Sequence, residues 1–281
     1  MRPLRLLPLA LLLACHTHDP SPIARDPAGE PPAQGRDRAA AVAPTESAHE
    51  PAPPPALDPS PAPAPATVER VAVTGDSPAS VVRGPHGEPP RIVFLPGVCS
   101  NAYAYLLGFP EAARAHGGVI AIDGDQPCGA PNSGFRSFSW DTARQNARLE
   151  AALAAAGVSS PPPDGLTLVG YSAGADIGEL MAQRWPKRYA RIVLIGAPSD
   201  PKPALVARAQ GVVTMSCSRD VPGRMRDGAA RIRGAGIPST YLEMPGCTHG
   251  NLADGERIFT EAFDWLASNA RDASPDGGAA L

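Results

Sequence analysis

Short apolar runs rich in β-branched residues alternate with helical patterns over residues 68–270. Several of the later runs are apolar throughout, which is typical of strands buried on both faces of a parallel sheet. Because strands and helices alternate, we expect an α/β fold with a mostly parallel sheet and crossover helices. The first two predicted strands are close together in sequence and favour an antiparallel edge. The predicted strands cover residues 68–73, 80–83, 91–95, 118–122, 166–170, 191–195, 212–216 and 240–244, and the predicted helices cover residues 102–115, 141–156, 173–184, 223–233 and 252–270.

Residues 1–14 have the layout of a secretory signal peptide, in which arginines precede a short apolar stretch. The stretch is too short to span a bilayer. It ends in Leu12-Leu13-Ala14-Cys15, which resembles the bacterial lipobox, whose cysteine becomes the lipidated first residue of the mature protein. The resemblance implies a bacterial envelope protein that is exported and anchored in the membrane through Cys15. Ordinary signal-peptide cleavage is the alternative.

Residues 15–67 predict a disordered tether. Residues 16–67 hold 14 of the 35 prolines and no Phe, Trp or Tyr, so they cannot bury enough apolar area to offset their ordering entropy. A flexible tail is expected at residues 271–281. The formal net charge is -3 and no long basic run occurs, which argues against a nucleic-acid partner.

The most informative motif is Gly170-Tyr171-Ser172-Ala173-Gly174, which lies between a predicted buried strand and a predicted helix. In such a turn the serine Oγ stands clear of the backbone, and the glycines leave room where a Cβ would collide with the neighbouring strand and helix. The helix that follows directs its N-terminal N–H groups at developing negative charge. This context predicts Ser172 as a nucleophile; the alternative is an incidental serine in a Gly-rich turn.

On these residues the chain resembles the α/β-hydrolase family over about residues 68–270. The resemblance implies an eight-stranded, mostly parallel sheet flanked by helices, with a triad in the chain order Ser, acid, His. Many members carry a cap after the sixth strand. Here only residues 196–211 separate the sixth and seventh strands, so we expect no cap domain and an open site.

A serine nucleophile needs a base, and an acid must orient that base. His249 is the only histidine after Ser172, and it lies in a turn-rich loop after the last strand, where the family places its histidine. For the acid, Asp220 follows the penultimate strand, which is the usual family position. Asp200, one strand earlier, is the alternative. Weaker candidates, inside predicted helices or a strand, are Asp176, Asp227, Glu179 and Glu243.

The family builds its oxyanion hole from two backbone N–H groups. One belongs to the residue after the nucleophile, here Ala173. The other comes from the loop after the third strand, where this chain has Pro96-Gly97 instead of the frequent His-Gly. The second donor is expected at Val98, the residue after this glycine, with Cys99 as the alternative.

Four cysteines follow predicted strands: Cys99, Cys128, Cys217 and Cys247. An even number in an exported domain predicts disulfides. In the strand order that the resemblance implies, the loops of Cys99 and Cys128 are neighbours, as are those of Cys217 and Cys247, so these two bonds are expected. A metal site is the rival interpretation, but no C-x-x-C spacing is present and no metal is expected.

The longest irregular segment, residues 124–140, carries Phe135, Phe138 and Trp140. These aromatic residues either line the pocket or anchor the following helix in the core. Nearby, Asp123 and Asp125 either bind substrate or cap turns.

The resemblance implies hydrolysis of a carboxylic ester, in a small molecule or a polymer, through an acyl-serine intermediate and without a metal or organic cofactor. Amide and thioester cleavage use the same groups, so a peptidase or thioesterase stays open. The second class of hypothesis is a non-catalytic envelope protein that uses the fold for binding or as a scaffold. We expect a monomer.

Overall fold

The computed structural model describes residues 64–130 and 134–272. The predicted signal peptide with Cys15, nearly all of the predicted tether and most of the predicted tail lie outside these residues. None of the helices in the described part of the chain is both long enough and apolar enough to cross a membrane.

The described residues form ten strands and six helices. The strands are β1 (Glu69–Val71), β2 (Ala79–Val82), β3 (Ile92–Leu95), β4 (Val119–Ala121), β5 (Gln126–Pro127), β6 (Arg136–Ser137), β7 (Leu166–Tyr171), β8 (Tyr189–Ile195), β9 (Gly211–Cys217) and β10 (Ser239–Met244). The helices are α1 (Ala102–Leu106), α2 (Pro110–Ala115), α3 (Thr142–Ala155), α4 (Ala173–Arg184), α5 (Pro222–Gly234) and α6 (Gly255–Asn269).

Eight strands form one sheet in the order β1-β2-β4-β3-β7-β8-β9-β10. The strands β1 and β2 are antiparallel to their neighbours, and the pairs from β4 to β10 are parallel, which confirms the mostly parallel sheet and its antiparallel edge. Because parallel strands end at the same edge of a sheet, the loops after β3, β7, β9 and β10 meet there. The register places Leu95 beside Gly170 and Cys217 beside Met244.

The central strands of this sheet are buried on both sides, because helices pack against both of its faces. Within β3, Val93 and Leu95 belong to the core layer that contains apolar residues of α3, α4 and α5. Ile92 and Phe94 belong to the other layer, which contains residues of α1, α2 and α6. This alternation of side chains is the reason that the strands read as continuous apolar runs in the sequence.

Three local predictions were wrong. A single helix was expected over residues 102–115, but Pro110 begins a second helix after Phe109, because a residue before proline is disfavoured in the helical region. The last helix begins at Gly255 and not at 252, so Leu252 lies in the preceding loop. Within the irregular segment, β5 and β6 form a short antiparallel pair that the sequence did not indicate.

The connection from β8 to β9 carries no helix or strand over residues 196–210, all of which the structure describes. The expectation of a sheet without a cap domain at this position is therefore confirmed. No helix or strand of this connection therefore covers the edge of the sheet at which β7 ends.

Candidate active site

Ser172 lies on a strained turn between β7 and α4. Its backbone has φ 53° and ψ -125°, a conformation that residues with a side chain rarely adopt. The Ser172 N–H donates to the Ile195 carbonyl at 2.8 Å, which fixes the turn to the neighbouring strand. The two flanking glycines are needed for space: a Cβ on Gly170 would lie 2.6 Å from the Ala175 Cα, and one on Gly174 would lie 2.6 Å from the Pro96 carbonyl oxygen.

Three side chains form a continuous chain of hydrogen bonds at this turn. The His249 Nε2 lies 2.9 Å from the Ser172 Oγ, and the His249 Nδ1 lies 2.7 Å from the Asp220 Oδ2. The Asp220 side chain is only 11% exposed, whereas that of His249 is 46% exposed. The imidazole therefore faces solvent on one side while a nearly buried carboxylate holds its other nitrogen. This arrangement allows Nδ1 to donate to the carboxylate and Nε2 to accept the serine proton.

Asp200, the main alternative for this role, has other partners. Asp200 is 66% exposed and forms ion pairs with Arg224 at 3.4 Å and with Arg231 at 3.5 Å. Two further carboxylates on α4 bind the loop after β8. The Ser199 hydroxyl donates to Asp176, and the Lys202 N–H donates to Glu179, whose pKa burial raises to about 7.

Gly196, which follows β8 directly, makes room for the acid and the histidine. Its φ is 53°, and a Cβ at this position would lie 2.9 Å from the Asp220 Oδ2 and 3.3 Å from His249 ring atoms. Any side chain here would therefore displace one of the two. Gly196 was not among the predicted site residues. The signal that could have identified it is a glycine at the end of the strand beside the serine turn.

Tyr171, the residue before the serine, contacts the loop that carries the histidine. Its hydroxyl accepts a hydrogen bond from the Gly250 N–H at 2.6 Å, and its ring centroid lies 5.4 Å from that of His249. Burial raises the pKa of Tyr171 to about 12, and the nearby Tyr105 and Asp220 add to the shift. The phenol is therefore neutral at ordinary pH. This contact was not predicted either, because 79 residues separate the two partners in the sequence.

The loop after β3 lies against Ser172, as the resemblance implied for an oxyanion loop. A Cβ on Gly97 would lie 3.0 Å from the Ser172 Cβ, so the glycine permits this approach. The Ser100 hydroxyl donates to the Gly97 carbonyl at 2.6 Å and fixes the turn. The Cys99 N–H already donates to the Ser137 Oγ at 3.0 Å. Of the two N–H groups considered in this loop, that of Cys99 is thus occupied.

Two disulfides join loops at this edge of the sheet. Cys99 is bonded to Cys128, and Cys217 is bonded to Cys247. The first ties the loop after β3 to the β5–β6 segment, and the second ties the last residue of β9, just before the loop of Asp220, to the loop that carries His249. Disulfides of this kind are typical of proteins outside the reducing cytoplasm.

The acidic and aromatic residues in and next to the irregular segment take separate roles. Asp123 accepts the Ala102 N–H at the start of α1 at 2.7 Å. Burial opposes ionisation of Asp125, but hydrogen bonds from Ser139 and Gln145 outweigh it and lower its pKa to about 2. Phe138 is buried in the core, while Phe135 and Trp140 are exposed. The hydrogen bonds of Asp123 and Asp125 thus stabilise the local structure.

Among the described residues, no group of three His, Cys, Asp or Glu side chains is arranged to hold a metal ion. The polar groups beside Ser172 instead suit proton transfer and nucleophilic attack. Chemically, the site offers one hydroxyl, one imidazole and one carboxylate in series.

Two of the solved structures that share this architecture are a phospholipase and an esterase. One is a membrane phospholipase A described as a novel bacterial virulence factor, with a TM-score of 0.50 and 15% sequence identity over 72% of this chain and 86% of that chain. The other is esterase PE8, with a TM-score of 0.51 and 16% identity over 72% of this chain and 100% of that chain. No family model and no curated protein matches the sequence. At these identities the likeness establishes the fold: the chain has the α/β-hydrolase fold.

Proposed function

We propose that this chain is a serine hydrolase that cleaves carboxylic esters, with Ser172 as nucleophile, His249 as general base and acid, and Asp220 as the orienting acid. The observation that carries the proposal is the unbroken hydrogen-bond series from Asp220 through His249 to Ser172, placed on a strained turn. A strained serine with an imidazole within 3 Å and a nearly buried carboxylate behind it meets the geometric requirements of nucleophilic catalysis.

In the acylation half of the reaction, the His249 Nε2 takes the Ser172 proton while the Oγ forms a bond to the ester carbonyl carbon. The carbonyl π electrons move onto the oxygen, which the N–H groups of Val98 and Ala173 would stabilise. We assign the donor of the loop after β3 to Val98, because the Cys99 N–H already donates to the Ser137 Oγ. Each such donor typically contributes 10²–10³-fold to the rate. The protonated His249 then gives its proton to the departing alcohol as the C–O bond breaks.

In the deacylation half, a water molecule takes the place of the alcohol. His249 accepts a proton from the water while the water oxygen attacks the acyl carbon. It then gives the proton to the Ser172 Oγ as the acyl–Oγ bond breaks. Asp220 keeps the proton of the neutral imidazole on Nδ1 and stabilises the imidazolium that forms in both halves.

A fluorophosphonate probe tests the proposal, because it labels only activated serines. The wild type should be labelled and should hydrolyse p-nitrophenyl acetate, and Ser172→Ala should lose both properties. Ser199→Ala is the matched control, since it removes a half-buried hydroxyl whose hydrogen-bond partner among the described residues is Asp176. Absence of labelling and of ester turnover in folded wild-type protein would contradict the proposal and favour a non-catalytic scaffold. Comparing matched ester, thioester and amide substrates separates an esterase from a thioesterase or a peptidase.

We also propose that the protein acts in the bacterial envelope, anchored by a lipid on Cys15. The signal-peptide layout, the lipobox-like tetrapeptide and the two disulfides support this location. Metabolic labelling with palmitate should mark the wild type and leave Cys15→Ala unmarked. Equal labelling of both proteins would contradict the anchor.

A further inference from the structure

A groove with a volume of about 500 Å³ opens between the loop after β3, helix α1 and the loop that carries His249. This volume lies within the range of small-molecule sites. Its walls include Val98, Tyr105, Phe135, Gly250 and Leu252, and none of the residues that line it among the described ones is Asp, Glu, Lys or Arg. The groove is therefore suited to an uncharged occupant.

The groove contains part of the apolar surface that is exposed to solvent in the described residues. The large hydrophobic residues that are exposed in the described part of the chain are Val98, Leu107, Phe135 and Trp140. Two of these four line the groove, with Val98 57% and Phe135 51% exposed. Leu252, which is half-buried, also lines the groove. An apolar group placed here would remove this surface from water, which favours binding.

The wall that carries Phe135 is fixed in place by covalent and hydrogen bonds. The Cys128 N–H donates to the Phe135 carbonyl at 3.1 Å, and the Cys99–Cys128 disulfide joins this segment to the loop after β3. Next to it, Ser100 and Arg136 exchange two backbone hydrogen bonds at 3.1 Å. The groove is thus a preformed feature of the fold, which lowers the entropy cost of binding.

The groove adjoins the proposed reaction site at two residues. Val98, the proposed oxyanion donor, lines one wall, and Gly250, which follows His249 directly, lines another. The groove therefore lies between the loop after β3, which packs against Ser172 at Gly97, and the loop that carries His249.

From these observations we infer that the groove binds an uncharged, apolar substituent of the ester substrate, and that Phe135 and Leu252 set the preference for it. The inference rests on the proposed function. The substituent belongs to either the acyl or the alcohol side of the ester, since the groove touches both the oxyanion loop and the histidine loop. The experiment distinguishes the two sides.

The test compares kcat/KM along two series: p-nitrophenyl acetate, butyrate and octanoate, which lengthen the acyl side, and methyl, butyl and octyl acetate, which lengthen the alcohol side. Each methylene that becomes fully buried should raise kcat/KM about fourfold. In a groove that is open on one side, about twofold for each methylene is expected. The octyl or octanoyl member should therefore exceed the shortest member by at least roughly tenfold in one series. The p-nitrophenyl half-ester of suberic acid, which ends in a carboxylate, should fall at least about tenfold below the octanoate if the acyl side is the one bound.

The variants Phe135→Ala and Leu252→Ala should each lower the long-to-short ratio of the sensitive series by roughly tenfold. Trp140→Ala is the matched control: it removes an exposed aromatic side chain from the same segment, outside the groove, and should leave the ratio unchanged. Flat profiles in both series, with acetate turnover that depends on Ser172, would overturn the groove assignment and leave the proposed function intact. Loss of the ratio in Trp140→Ala alone would also overturn it. Absence of any turnover that depends on Ser172 would overturn the proposed function and the groove assignment with it.

Discussion

Asp220→Asn gives the sharpest test of the proposed reaction, because it changes one atom in a defined hydrogen bond. The Asp220 Oδ2 lies 2.7 Å from the His249 Nδ1 and accepts the proton there. An amide nitrogen in its place donates instead, so the imidazole proton moves to Nε2. That nitrogen faces the Ser172 Oγ at 2.9 Å and then no longer accepts the serine proton. The variant should fold, because the shape of the side chain is unchanged.

The expected loss follows from this change of tautomer. In serine hydrolases with this constellation, the equivalent exchange lowers kcat by about 10⁴. Such a loss corresponds to about 5.5 kcal/mol of transition-state stabilisation. Since the Asp220 side chain is 11% exposed, water has little access to replace the lost acceptor. The assay is steady-state hydrolysis of p-nitrophenyl acetate by the purified variant, with circular dichroism to show that it is folded.

Asp200→Asn is the matched control. Asp200 is 66% exposed and forms ion pairs only with Arg224 and Arg231 among the described residues. Exposed pairs of this kind contribute about 0–1 kcal/mol to stability, so kcat should stay within about twofold of the wild type. If Asp220→Asn kept more than about a tenth of the wild-type kcat, or if Asp200→Asn lost the activity, the assignment of the acid would be refuted.

Three further predictions concern the residues around the site. Tyr171→Phe removes the hydroxyl that accepts the Gly250 N–H, so the free energy of unfolding should fall by about 1–2 kcal/mol. The value of kcat/KM should also fall, because the loop that carries His249 is held less firmly. Wild-type values for both quantities would argue against this role. Burial raises the pKa of Glu179 from 4.5 to about 7, so the folded state keeps a proton that the unfolded chain has lost, and stability declines as the pH rises through this window. Glu179→Gln should remove that decline and gain on the order of 2 kcal/mol relative to the wild type between pH 5 and pH 8 in urea titrations; parallel curves would contradict it. Gly174→Ala would place a Cβ 2.6 Å from a backbone carbonyl oxygen and should lower stability by at least about 2 kcal/mol in thermal unfolding, whereas Gly223→Ala, with open space around it, should cause no loss.

Local pattern was sufficient where neighbouring residues decide the structure. The predicted strands match the observed central strands to within about two residues, because burial on both faces makes them continuous apolar runs. The helix after Ser172 was predicted with the observed bounds, since a glycine-flanked turn marks its start. Pro110 is a proline inside a helical pattern, which indicates a break in the helix. The prediction of one helix over residues 102–115 ignored this signal and was wrong for that reason.

Local pattern was insufficient where the partner is distant in the chain. The contacts from His249 to Ser172 and Asp220 span 77 and 29 residues. Chain order and the resemblance favoured Asp220, but they could not exclude Asp200, because both follow strands that end at the same edge. In the same way, only the hydrogen bond from Cys99 to Ser137 separates Val98 from its alternative as an oxyanion donor.

The sequence alone determined the fold class, the serine turn and the only histidine that follows it, since these depend on periodicity, glycine spacing and chain order. The tertiary structure decided which aspartate contacts that histidine, why Gly196 must lack a side chain and where the apolar groove lies. The physical reason is the order and register of the sheet: β8 lies between β7 and β9, and β10 lies beside β9, so loops far apart in sequence end within hydrogen-bonding distance. No local pattern encodes a distance between loops that meet only when the strands are paired.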